Sequence, residues 1–412
     1  MTCNDRSGWV AIRLEVWVGI DVGKSMHHAC AIDTDGKVLF SQKLGNDQRA
    51  IEQLIARASA AAQRAQWAID VTSPMALLLI TALLAADQSV TYVPGRVVNT
   101  MTHGFRGEGK TDAKDARVIA ETARLRRDLT EVTMPDELAV SLTQLTSYRA
   151  DLMSDWVAGI NRLRALLGSI FPALEAAFDY SNRTPLILVA GMCTPAEIRT
   201  AGIGGVTTHL TDNKAWGPAI GKTAATAVAA ADAQDLVLPG EADAAMLVKR
   251  IARKLLDLDR EIKDTDKLIT ARFRRHPWAR IIESLPGMGP GLGAEFLAST
   301  GGDLATFATA GRLASYAGLV PVPRDSGRVS GNLRRPKRYN RRLRRVFYMA
   351  ALSSLRTQGP SRRFYDKKRA ERLIHTQALL ALARRLVDVL WALLRDGREF
   401  TLDTPNPVTV AA

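Results

Sequence analysis

Four aspartates are spaced for hard-cation chemistry. Asp21 ends the apolar run from Val16 to Val22, and Asp70 ends another from Trp67 to Val71. An inward carboxylate there is costly unless it is a ligand or accepts hydrogen bonds. Asp112 and Asp115 stand three residues apart in Lys110-Thr111-Asp112-Ala113-Lys114-Asp115, on one face of a helix start. Together the four could clamp two magnesium ions about 4 Å apart, a pairing that stabilises attacking and leaving oxygens in phosphodiester chemistry. Each alone has a plainer use, since D-x-x-D caps helices and strand-end aspartates are common in turns. Order, strand placement and a basic partner surface favour the metal.

The basic surface is confined to one segment. Between Arg324 and Arg372 stand seventeen Lys and Arg against Asp325, Asp366 and Glu371, an excess equal to the whole chain's net charge of +14. Tyr339, Phe347, Tyr348, Phe364 and Tyr365 are interleaved with them. A solvated helical face normally mixes signs, so the segment reads as phosphate neutralisation with base stacking, and binding should weaken steeply with salt. A solubilising surface is the plainer alternative. The expected nucleic-acid contacts are Arg324, Arg328, Arg334, Arg335, Lys337, Arg338, Arg341, Arg342, Arg344 and Arg345. Ser326 and Ser330 both lie between glycine and basic residues, and nothing local chooses between them as a nucleophile.

Positioning these groups takes several elements. The 412 residues imply two or three domains. Val16–Val22 reads as a strand, and two further runs, 29–32 and 38–40, flank Asp35-Gly36 as a hairpin. A helix over 46–62, a strand over 67–71, a helix over 74–86, a strand over 90–94 and a helix from about 112 to 127 follow, giving an α/β layer. Leu138, Leu142, Leu145, Leu152, Trp156, Leu163 and Ile170 fall near heptad spacing, with Arg149 interrupting the seam. Leu247, Ile251, Leu255, Leu258, Ile262 and Ile269 repeat the pattern. Two such helices can pair as an antiparallel hairpin or dimerise with another chain. The Gly-, Ala- and Thr-rich stretch 179–240 offers no assignable element, and the tail from Asp403 is expected to be disordered.

Other motifs fail on inspection. Gly221-Lys222-Thr223 would need glycine where Trp216 stands to form a phosphate loop, and Gly287-x-Gly289 meets Leu292 where a dinucleotide fingerprint needs glycine. His27 and His28 face opposite ways on a strand and read as structural. Leu285-Pro286-Gly287-Met288-Gly289-Pro290 followed by a helix over 294–299 suits either backbone amides gripping a phosphate or a plain helix–helix turn. Cys3, Cys30 and Cys193 form no C-x-x-C pair, charged residues break the first twenty positions, and no apolar run spans a bilayer; a soluble, cytoplasmic protein without membrane contact is expected.

In order, these segments resemble the insertion-sequence transposases with an N-terminal DEDD, RuvC-like domain and a C-terminal transposase domain, the group that also contains the Piv DNA invertases. The likeness covers about 16–397 and is carried by several stretches: Gly19-Ile20-Asp21-Val22-Gly23-Lys24, Lys110 to Ala116, Asn161-Arg162-Leu163 and the Leu285 to Pro290 loop. Tyr316-Ala317-Gly318-Leu319-Val320-Pro321, leading to Asp325-Ser326-Gly327 and Arg341-Arg342-Leu343-Arg344-Arg345, carries it most specifically. The resemblance implies an RNase H-like catalytic domain over 14–130, a helical coiled-coil oligomerisation region over 131–275, a mainly helical C-terminal domain over 276–400 and a flexible tail over 401–412. It implies Asp21, Asp70, Asp112 and Asp115 as metal ligands, with Asp70 where the family usually has Glu, and Ser326 as nucleophile. DNA, a structured guide RNA from the same element and a homo-oligomer, dimer or tetramer, are the partners it implies. The rival expectation is a RuvC-like nuclease that hydrolyses with water.

Overall fold

The computed structural model describes residues 13–72, 74–102, 104, 111–134, 136–305, 307–327 and 330–401. The expected tail disorder and Lys110 lie outside the described residues. The chain divides into two compact units, Met1–Pro135 and Asp136–Ala412.

The first unit is a mixed sheet with helices on both faces. It comprises β1 (Arg13–Asp21), β2 (Met26–Ile32), β3 (Val38–Gly45), α1 (Gln48–Ala61), β4 (Ala62–Ile69), a 3-10 turn at Pro74–Ala76, α2 (Leu77–Ala85), β5 (Ser89–Tyr92), α3 (Gly95–Thr102), α4 (Asp112–Leu125) and β6 (Thr130–Glu131). The strand order is β3-β2-β1-β4-β5-β6. β1, β4 and β5 run parallel, and β2, β3 and β6 are antiparallel to their neighbours. Alternation sends Val16, Val18 and Ile20 into a core with Ile51 and Leu54 of α1 and Leu79 and Leu83 of α2. Trp17, Cys30 and Ile32 pack on the opposite face against Ala116 and Ala120 of α4. Burial on both faces is why β1 reads as a continuous apolar run. The expected hairpin forms, with Gly36 at φ +79° and the Asp33 side chain accepting from the Asp35 and Lys37 amides at 3.1 and 2.9 Å.

The α/β expectation holds, with local differences. β4 starts at Ala62, directly after α1, and the helix expected from Pro74 begins with a 3-10 turn. α3 and the two-residue β6 were not anticipated: a strand of two residues has no period to detect.

The second unit is mainly helical: α5 (Glu137–Ile170), α6 (Pro172–Ala177), α7 (Arg183–Gly191), α8 (Pro195–Asp212), α9 (Gly217–Asp232), α10 (Glu241–Phe273), α11 (Ala279–Ser284), α12 (Pro290–Thr300), α13 (Ala310–Tyr316), a ribbon of β7 (Val322–Pro323) and β8 (Leu333–Arg334), α14 (Arg341–Ser354), α15 (Pro360–Ala370) and α16 (His375–Asp396). Of the two pairings open to the long helices, the antiparallel one within a single chain forms. Tyr148 meets Glu261, and a Cβ on Gly159 would lie 2.8 Å from Leu255. Arg149, the break in the seam, reaches across to Asp266 at 3.2 Å. Helices α7 to α9 fill the stretch without assignable elements. Helix α9 buries only small residues, Ala224, Ala227 and Ala231 among them, and α7 buries a continuous run, Leu186 to Val189, so neither shows a one-faced hydrophobic period. No single helix among the described residues is long and apolar enough to cross a membrane. The one bent pair that passes by length and composition, α7 with α8, buries Leu186, Ile187, Leu188 and Val189 inside its own unit.

Candidate active site

The acidic site is assembled by strand register and one close helix contact. Ile20 of β1 pairs with Ile69 of β4, so Asp21 and Asp70 leave the same end of adjacent parallel strands. Helix α4 crosses that face at Gly19, where a Cβ would lie 2.3 Å from both the Ala116 carbonyl oxygen and the Ala120 nitrogen. Asp112 and Asp115 occupy the turn just before Ala116, which sets them over the end of β1. The helix cap is Thr111, whose hydroxyl accepts from the Lys114 amide at 3.2 Å. Neither aspartate is therefore the capping residue, although both charges suit the helix N-terminus.

Asp21, Asp70 and Asp115 are half-buried, and Asp112 is exposed. Asp70 Oδ1 is buried and has no hydrogen-bond partner among the described residues. Burial, and to a lesser degree the charge of Asp115, pushes the Asp70 carboxyl above the usual carboxylate range, against backbone hydrogen bonding from its own amide and from Val22. An orphaned buried carboxylate oxygen among like charges is what a divalent cation would satisfy, so these residues fit the implied metal. Among the described residues no three His, Cys, Asp or Glu side chains are gathered closely enough to cage an ion as they stand.

His27 and His28 do face opposite ways, and both are buried. Burial lowers the pKa of each, so both rings are neutral near pH 7. What the sequence reading missed is that His28 pairs with Asp21 across the β1–β2 ladder, on the face covered by α4. The Asp112 carboxylate partly offsets the effect of burial on this ring.

Ser326 lies in the second unit, exposed in the loop between β7 and β8. The loop is tied by the Arg324 amide donating to the Asn332 carbonyl at 2.9 Å and the Asn332 amide donating to Asp325 Oδ1 at 3.0 Å. Ser330 is also exposed, and Arg328 lies outside the described residues. Behind the ribbon, Gly318 at φ +68° leaves room for Tyr339, whose Cγ would be 2.4 Å from a Cβ there. Asn340 caps α14 through the Leu343 amide at 2.9 Å, and its own amide donates to the Tyr316 carbonyl at 2.8 Å. The Tyr316 to Gly318 motif thus closes the base of the ribbon.

The arginine-rich segment is not uniform. Arg342 donates to Ser147 Oγ at 3.2 Å, Arg344 to the Gly318 carbonyl at 3.2 Å, Arg345 to Glu295 at 2.6 Å and Arg335 to the Tyr339 hydroxyl at 3.0 Å. Arg324, Arg334, Lys337, Arg338 and Arg341 are exposed, and none has an ion pair or side-chain hydrogen bond with a described residue. The loop from Leu285 to Pro290 docks on α14: Gly287, at φ +85°, would put a Cβ 2.1 Å from the Ala350 carbonyl oxygen. Helix α12 starts at Pro290, four residues before the expected 294, because proline is well placed in a first turn.

Comparison with known proteins places these features in context. A DEDD-type family model described as a transposase matches residues 18–172, and one described as the transposase IS116/IS110/IS902 family matches 279–366. The first suggests an RNase H-like fold, with which the mixed sheet agrees. The chain is 53% identical over 398 residues to the 44.8 kDa protein of insertion element IS116 from Streptomyces clavuligerus, covering 96% of this chain and 98% of that one. It is 50% identical over 400 residues to the 42 kDa protein of insertion element IS900 from Mycobacterium paratuberculosis, with the same coverage of each chain, 96% and 98%. It is also 25% identical over 410 residues to the mini-circle putative transposase for IS117 from Streptomyces coelicolor, covering 94% of this chain and 95% of that one.

Proposed function

The chain belongs to the IS116/IS110/IS902 family of transposases, and from that premise we propose a magnesium-dependent recombinase that cuts and exchanges DNA strands for its insertion sequence. The observation that carries the reading is the register that brings Asp21 and Asp70 out at the same end of the adjacent central strands β1 and β4, with the first turn of α4, which bears Asp112 and Asp115, just before its close contact with Gly19. These four carboxylates would hold the metal, a two-ion site in its full form. Magnesium bound there supplies phosphate neutralisation and lowers the cost of an alkoxide.

Ser326 is the proposed nucleophile. Its hydroxyl gives up a proton as Oγ bonds to the scissile phosphorus. The bond from phosphorus to the departing strand's oxygen breaks, and that oxygen takes up a proton. The phosphodiester bond energy is kept in the serine link, so the reverse step on a second strand completes exchange. Arg324 and Arg328 neutralise the phosphate, and the exposed cations of the segment hold the backbone. Backbone-directed contacts suit a protein whose sequence recognition is delegated to base pairing by an element-encoded RNA. In this scheme 14–130 is the catalytic domain, 131–275 the helical oligomerisation region and 276–400 the serine-bearing domain, working as a dimer or tetramer.

A denaturation-resistant protein–DNA adduct that forms with the wild type and is lost in Ser326→Ala tests the scheme. Recovery of an element-derived transcript from the purified protein tests the guide. A second reading, a RuvC-like endonuclease using water, is favoured by the placement of all four acids in the first unit, where hydrolysis needs no serine from the second. Full cleavage by Ser326→Ala would select it.

A further inference from the structure

His28 has surroundings that a purely structural part in the sheet does not explain. The residue is 8% exposed and stands opposite Asp21 in the antiparallel ladder, an arrangement that places the two Cβ atoms about 5 Å apart on one face. Its Nε2 lies 2.8 Å from Ser41 Oγ on β3, while Nδ1 is buried with no hydrogen-bond partner. The Asp112 carboxylate, at the head of α4, is near enough to act on the ring electrostatically. A neutral imidazole has one donor and one acceptor nitrogen, and a hydroxyl can serve either. If the Ser41 hydroxyl donates to Nε2, the hydrogen resides on Nδ1.

We propose that His28 is a positioning residue of the divalent-cation site: its Nδ1–H donates to the Asp21 carboxylate when the acidic cluster closes on the ion, and Ser41 fixes the tautomer that makes this possible. The assignment rests on the reading of Asp21 as a metal ligand. Metal-ligating side chains are oriented by hydrogen bonds from such outer partners, whose loss weakens metal affinity by about ten- to a hundredfold.

The test is a titration of the full-length protein with Mn2+ in the absence of DNA, read as the metal-induced rise in melting temperature and as bound Mn2+ by electron paramagnetic resonance. His28→Asn keeps an N–H at the Nδ1 position, whereas His28→Gln places it near the Nε2 position. The expected result is a near wild-type midpoint for His28→Asn and a midpoint raised about tenfold for His28→Gln, with unchanged melting of the two metal-free proteins. Equal midpoints for His28→Gln and the wild type, or equal weakening in both variants, overturn the proposal. A wild type that binds no Mn2+, or Asp21→Asn with an unchanged midpoint, overturns instead the cation site on which it rests.

Discussion

Gly19 of β1 and Ala116 of α4 meet backbone to backbone, so that a Cβ on Gly19 would lie 2.3 Å from the Ala116 carbonyl oxygen. Main chain offers no flexible end to move aside, and Gly19→Ala must displace the helix that carries Asp112 and Asp115. The expected cost is about 1–3 kcal/mol of stability, with loss of strand cleavage at temperatures where the variant is still folded. Gly95→Ala, where nothing lies within 4 Å, is the control and should leave both unchanged. Paired thermal melts and cleavage assays decide it.

Asp70 should make the metal-free protein respond to pH. Its folded-state pKa is raised, chiefly by burial, so between the unfolded and folded values the native state binds the proton that the unfolded chain lacks. Stability contributed by this group therefore rises as pH falls through that window, and the penalty is complete above the folded value. Asp70→Asn is expected to raise the melting temperature in chelator at pH 7 to 8 and to lose that advantage on acidification, an effect that melts across pH will show.

The arginines should separate into two classes. Arg345→Ala removes the ion-pair partner of Glu295, whose side chain is 15% exposed, and should cost about 1 kcal/mol in stability. Arg334→Ala with Arg338→Ala should leave stability within about 0.5 kcal/mol of wild type. The double variant should also reduce the salt dependence of DNA binding by about one unit of slope per cation removed. Denaturant unfolding and binding measured across salt concentrations distinguish the classes.

The two glycines of the Leu285 to Pro290 loop should differ in the same way. Gly287 combines φ +85° with a Cβ position 2.1 Å from the Ala350 carbonyl oxygen, so Gly287→Ala is expected to destabilise by more than about 3 kcal/mol. Gly289 has open space around it, and Gly289→Ala should fold normally. A DNA-binding defect in a well-folded Gly289→Ala would point to phosphate contact by the loop.

Much of the catalytic unit is legible from local pattern. Val16, Val18 and Ile20 alternate with residues facing the other way, and an acid at the end of such a run stands out because burial would penalise it. The hairpin at Asp35-Gly36 is visible for a similar local reason, a turn that needs positive φ. Helices α7 and α9 are not visible, because α7 buries four consecutive apolar residues and α9 buries alanines, and neither pattern marks a single face.

By itself, the sequence determined which residues are acidic strand ends, where the cations concentrate and where the long helices run, since each depends on neighbours a few positions away. Only the tertiary structure decided that His28, rather than His27, shares the face of Asp21, because that follows from the register of β1 against β2. It likewise decided that Arg345 answers Glu295 while Arg338 faces solvent. Adjacent residues of one type differ only in what a distant part of the chain brings opposite them, and chain closure over many residues leaves no signature in local spacing.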